Sequence, residues 1–92
     1  MPYTMVRFTV QDYATWKQGF AEGAALRQAN SGRGGWIFRG ASDPNEVVLL
    51  MEWDDLEQGM RLSQSPEVQE MQRRGGVITR PEPYTAAERF EK

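Results

Sequence analysis

One stretch limits this chain more than any other: Glu46-Val47-Val48-Leu49-Leu50-Met51-Glu52-Trp53-Asp54, its longest apolar run. Asp43-Pro44-Asn45 precedes it, a turn signal with proline set for the second position. Alternate side chains of a strand point to opposite faces. Val47, Leu49, Met51 and Trp53 therefore share one face, and Val48, Leu50 and Glu52 the other. Both faces are largely apolar, the pattern of a strand covered on both sides. A short apolar run also suits a buried helix, but the β-branched start and the bounding turns select a strand.

The remaining segments arrange themselves around it. Tyr3 to Val10 reads as a first strand, with Thr4, Val6, Phe8 and Val10 on one face and Tyr3, Met5, Arg7 and Thr9 on the other. Asp12 offers a cap for a helix from Tyr13 to about Gln28, with Tyr13, Trp16, Phe20 and Ala24 on one stripe. Gly19 and Gly23 predict a flat strip on that helix where backbone approaches closely. Asn30 to Gly35 reads as a glycine C-cap and connecting loop. It is not a phosphate cradle, because it leaves a helix C-terminus rather than entering an N-terminus. Trp36 to Ala41 is a second strand, joined by the Asp43-Pro44-Asn45 turn to the third as an antiparallel hairpin.

Asp54 with Glu57 predicts a capped helix with Leu56 and Met60 inward, and Ser65-Pro66-Glu67 restarts it in cap, first-turn-proline order. Val68 and Met71 form the apolar side of that second piece, which Gly75-Gly76 ends. Pro81 and Pro83 confine the next segment to a sheet edge or a linker. Alternation from Tyr84 to Phe90 reads as a weak last strand.

The order β-α-β-β-α-β is the split βαβ pattern of an α+β, ferredoxin-like domain spanning residues 1–92, with an antiparallel sheet and both helical regions on one face. Helices on one face leave the other bare. The third strand nevertheless supplies aliphatic groups to both, a larger patch than soluble monomers expose. A second copy packed sheet to sheet is the expected cover, and a 92-residue chain gains from the added burial.

Composition removes many chemistries. There is no cysteine and no histidine, hence no disulfide, thiol nucleophile, thiolate metal site or imidazole base, and not the commonest zinc, iron or copper ligand. The expectation is a protein without metal, haem or flavin. Net charge is −2, and nine scattered arginines make up most of the eleven basic residues, which argues against a nucleic-acid surface. The aliphatic third strand likewise lacks the stacking aromatics of an RNA-binding sheet. No stretch has the length of a membrane span, and the start lacks a signal-peptide pattern, so a cytoplasmic protein is expected.

Several short motifs recur in a familiar order: Asp12-Tyr13-Ala14-Thr15-Trp16, Asp43-Pro44-Asn45-Glu46-Val47, Glu52-Trp53-Asp54-Asp55, Ser65-Pro66-Glu67 and Gly75-Gly76-Val77. Together they resemble the antibiotic biosynthesis monooxygenase-like family of the dimeric α+β barrel superfamily, over nearly the whole chain. The resemblance implies a homodimer whose sheets pack face to face, often with the C-terminal strand contributing across the interface. It also implies cofactor-independent oxidation of a small aromatic or polyketide-like substrate, in which an electron-rich phenol itself reduces dioxygen. Haem-degrading relatives use a histidine late in the second helical region and an asparagine on the first strand. Val68-Gln69-Glu70-Met71 has no histidine and the first strand has Arg7 or threonines, so haem oxygenation is not expected.

The residues offer only weak catalytic candidates: Trp53, Arg39, Glu52 and Tyr84. Trp53 matches the tryptophan common at the end of the third strand in the family, and core packing is the blander account of it. Glu52 among apolar neighbours would have a raised pKa, but pairing with Arg39 or Arg7 is the preferred reading. Tyr84, Arg39, Tyr3 and Arg7 read as rim or interface residues. A ligand, if bound, is expected beneath the helices near Trp16, Trp53, Met60 and Met71, where tryptophans give flat walls and methionines adapt. The alternative to an oxygenase is a non-catalytic homodimeric module that binds a small apolar ligand or only assembles.

Overall fold

A computed structural model describes residues 2–85 and 88–92. The chain runs β1 (Tyr3–Thr9), α1 (Tyr13–Glu22), α2 (Ala24–Ala29), β2 (Gly32–Arg39), β3 (Glu46–Trp53), α3 (Leu56–Ser63), α4 (Pro66–Arg74) and β4 (Glu82–Tyr84). The four strands form one antiparallel sheet in the order β2-β3-β1-β4. Each expected helical region is broken in two, and both regions lie on one side of the sheet. This is the ferredoxin-like α+β arrangement read from the order of elements.

The apolar run forms the central strand β3, and alternation fixes what lies on each of its sides. Val47, Leu49 and Trp53 are buried toward the helices with Val6, Phe8, Val10 and Trp16. On the other side, aligned rows cross the strands: Tyr84, Met5, Leu50 and Trp36 in one, Glu82, Arg7, Val48 and Phe38 in the next. Trp36 and Phe38 remain 59% and 54% exposed there. The chain thus builds the two-sided sheet its sequence predicts and covers one side.

Local chemistry sets the boundaries. Asp12 caps α1 by accepting from the Thr15 amide at 3.0 Å, and Ser65 caps α4 by accepting from the Val68 amide at 3.3 Å, with Pro66 in the first turn. The Asp43–Glu46 turn closes through the Glu46 amide to the Asp43 carbonyl at 3.1 Å.

Four boundaries differ from the sequence reading. The helix expected to run to Gln28 breaks at Gly23, and Ala24 is exposed rather than inward. Asn30, not a glycine, caps α2, and Ser31 takes the left-handed backbone at φ 71°. The next strand begins at Gly32, because the backbone pairs with β3 through a register shift between Gly32 and Gly34. Gly35 is tied to that irregular stretch, since a Cβ there would overlap the Leu50 carbonyl. Asp55, not Asp54, caps α3 through the Gln58 amide, leaving Asp54 to pair with Arg33.

The last strand is also displaced. It occupies Glu82–Tyr84 at the sheet edge, runs through Pro83 and pairs only with β1. Thr85 and residues 88–90 are not strand, and Ala86 and Ala87 of the expected alternation lie outside the described residues. An edge position tolerates a residue that cannot donate a ladder hydrogen bond.

Candidate functional site

Between the sheet and the helices lies a cavity of about 470 Å³, within the range of small-molecule sites. Its floor is the helix-facing row of β1 and β3, including Val6, Leu49 and Met51, and its roof comes from α1, α3 and α4. Trp16, Trp53, Met60 and Met71 all border it. The four residues expected to gather beneath the helices therefore meet around one space.

Trp53 is 2% exposed and ends β3. Its indole N–H donates to the Thr4 hydroxyl at 2.9 Å, and Thr4 is 1% exposed opposite Met51 on β1. Gly59 of α3 lies against the ring so closely that a Cβ would overlap it. This closeness changes the expected stripe of α3: Gly59 and Leu62 are its buried residues, while Leu56 and Met60 are half-buried. The buried indole N–H is satisfied within the protein, so Trp53 presents a wall rather than a hydrogen-bond donor.

The α1 wall is an aromatic file. Trp16 stacks on Phe20 at 5.0 Å and 21°, meets Tyr13 at 5.8 Å, and sets an edge against Phe8 at 5.4 Å. Helical spacing placed Tyr13, Trp16 and Phe20 on one stripe, and the contacts follow from it. The glycine strip behaves differently from expectation. At Gly19, a cavity residue, nothing would meet an added Cβ within 4 Å, so no backbone packs there. At Gly23 the space is taken by the Met71 methyl group and Arg27.

The other candidates lie elsewhere. Arg39 faces α1, where its guanidinium carbon lies 3.7 Å from the Tyr13 ring centroid and its Nε donates to the Pro44 carbonyl. Glu52 is on the opposite face of the sheet, across from Tyr3. Its carboxylate raises the Tyr3 phenol pKa, chiefly through charge repulsion against the phenolate. The expected pair with Arg39 is thus replaced by Tyr3, because strand parity separates Arg39 and Glu52. Arg7 shares the face of Glu52 but lies opposite Val48 and Glu82. Glu52 also borders a separate hollow of about 120 Å³. Tyr84 is exposed, with its hydroxyl 3.5 Å from Glu82, and does not border the main cavity.

The sequence reading missed Thr4 and Arg27 as site residues. Thr4 carried a signal, being the one polar residue in an inward row with Val6, Phe8 and Val10. Arg27 also carried one, since it follows Phe20 by seven residues, two helical turns, and so falls on the same helical stripe. Among the described residues no group of acidic side chains is arranged to hold a metal.

The sequence matches no family model and no curated protein. The structure, however, is similar to solved structures along nearly its full length. A candidate antibiotic biosynthesis monooxygenase from Bordetella bronchiseptica has a TM-score of 0.77 at 18% identity, covering 97% of each chain. SnoaB, a cofactor-independent oxygenase from Streptomyces nogalater, has a TM-score of 0.70 at 19% identity, covering 99% of this chain and 97% of its own. A candidate monooxygenase of the same kind from Nitrosomonas europaea has a TM-score of 0.67 at 13% identity, covering 98% and 100%. The resemblance to the antibiotic biosynthesis monooxygenase-like family is therefore present in the fold. Among the described residues no helix is long and apolar enough to cross a membrane.

Proposed function

We propose that this chain, which has the fold of the antibiotic biosynthesis monooxygenase-like family, is itself a cofactor-independent oxygenase acting on a small aromatic or polyketide-like substrate. The observation that carries the reading is the cavity walled by Trp16, Trp53, Met60 and Met71, large enough for a flat fused-ring molecule. The similarity to SnoaB supports oxygen as the second reactant. A naphthol-type substrate plus dioxygen gives the quinone plus water: one oxygen atom enters the ring, the other leaves as water with the two hydrogens lost. The substrate supplies all the electrons. The chain's own residues hold the ring between aromatic and thioether walls and keep water from its face. The missing cysteines suit work in a reducing cytoplasm.

The acting species in this proposal is a homodimer joined through the face away from the helices. Met5, Leu50, Trp36 and Phe38 support it, forming an apolar surface too broad to stay in water. The test is oxygen consumption with anthrone- and naphthol-type phenols, without added metal or flavin, alongside tryptophan fluorescence titration. The expected result is oxygen uptake with quinone formation. Binding that quenches tryptophan without turnover would overturn the oxygenase and select the second reading, a ligand-binding module. That alternative draws on Trp53, whose one polar atom is already committed to Thr4.

A further inference from the structure

The cavity has a charge bias that its apolar walls do not explain. Arg27 and Arg80 border it, with Thr4, Ser63, Gln64, Gln69 and Gln72 as its other polar residues, and no carboxylate does so among the described residues. The chain carries thirteen acidic residues against eleven basic, so a lining with cations alone is a local arrangement and not a reflection of composition. Arg80 is exposed, whereas Arg27 is half-buried.

Arg27 is also held in place. Its Nη1 donates to the Phe20 carbonyl at 2.8 Å, and its guanidinium carbon lies 3.8 Å from the centroid of the Phe20 ring. That ring stacks on Trp16, so the cation sits at the end of the aromatic wall. A guanidinium has five N–H donors. The bond to Phe20 is its one side-chain hydrogen bond among the described residues, and no carboxylate there forms a salt bridge with it. Burial alone lowers its pKa from the ordinary arginine value, with no acidic neighbour offsetting the loss of water. A partly desolvated cation with open donors beside a flat apolar wall favours an anion at the edge of a ring.

We propose that the cavity takes an aromatic ligand bearing an anionic oxygen group, a carboxylate or an ionised phenol, and that Arg27 binds that group. The inference rests on the cavity being the ligand site and adds the charge of what it selects. The ring lies along the Trp16 and Phe20 file, while the oxygen group meets the free edge of the guanidinium. Arg27 is here a specificity residue, and the proposal does not require that it take part in oxidation.

Calorimetric titration of the purified full chain near neutral pH tests this with matched probes. Naphthoate against naphthamide isolates a carboxylate, and dinitrophenolate against dinitroanisole isolates a phenolate. At least one anion should bind about tenfold to a hundredfold tighter than its neutral partner, the range of a charged hydrogen bond. Arg27→Met should abolish that preference, while Arg27→Lys should retain part of it. Arg27→Gln removes the charge but keeps an N–H donor, and replaces the Met variant if circular dichroism shows that one unfolded. Equal binding of anion and neutral partner by the unmodified chain would overturn charge selection and leave the cavity reading standing. A preference that survives in folded Arg27→Met or Arg27→Gln protein would overturn the assignment to Arg27. No binding of any probe would overturn both.

Discussion

Thr4 and Trp53 lie 49 positions apart on different strands, and their side chains share a buried hydrogen bond. Thr4→Val keeps the shape but leaves the indole N–H buried without a partner, a cost of about 1–3 kcal/mol. Urea unfolding should show a lower midpoint with an unchanged slope, and Thr4→Ser should restore most of the loss. An unchanged midpoint for Thr4→Val would mean that the bond contributes nothing. Gly59→Ala tests the other side of the ring. The added methyl overlaps Trp53, whose N–H is anchored, so strain of about 1–3 kcal/mol is expected. Trp53 forms a cavity wall, so the same substitution should shift tryptophan emission and weaken aromatic-ligand binding.

The four helical pieces depend on their caps, because none is long enough to be stable alone. Ser65→Ala should cost about 1 kcal/mol, read by thermal unfolding, and Ser65→Asp should largely preserve stability. Asp12 links the same chemistry to pH. Its hydrogen bonds from the Thr15 side chain and amide hold its pKa below the ordinary aspartate value. The folded protein therefore binds this proton less readily than the unfolded chain. The stabilisation is complete above the ordinary aspartate range and is lost as pH falls through the lower folded value. Asp12→Asn keeps a capping oxygen that does not titrate in this range. It should remove this part of the acid dependence of stability; an unchanged stability–pH profile below the ordinary aspartate value would refute the assignment. Caps were largely legible in sequence, since Asp12 and Ser65 each precede a helical pattern. Asp54 and Asp55 were not separable, because adjacent aspartates satisfy the same rule. Only the docking of Asp54 on Arg33, a strand away, leaves the cap to Asp55.

At the scale of the molecule, the sheet face away from the helices is the basis of the proposed dimer. A standard interface of ~800 Å² per partner would contribute a gross gain of about 20 kcal/mol per subunit at ~25 cal/mol per Å², before the costs of association. The chain should sediment at low micromolar concentration as twice its 10.5 kDa mass. Leu50→Lys, at the centre of the Tyr84–Met5–Leu50–Trp36 row, should produce monomer or unfold the chain. A folded, soluble monomer of the unmodified chain would refute the sheet-to-sheet dimer.

Period-two alternation in residues 46–53 and 3–10, period-3.6 spacing from Tyr13 to Phe20, and local turn and cap chemistry determined the order of elements, and with it the fold. Those signals are local, so a single chain carries them in full. Three things were decided only when distant segments met. Pairing began at Gly32 rather than Trp36, with Gly35 lying against the β3 backbone, and Glu52 faced Tyr3 because strand parity put Arg39 on the other side. The Trp53 N–H was committed within the protein because Thr4, 49 positions away, accepts it. A cavity is a space left between elements, and no stretch of sequence encodes it alone: its size, and the charge at its edge, follow from how helices and sheet finally pack.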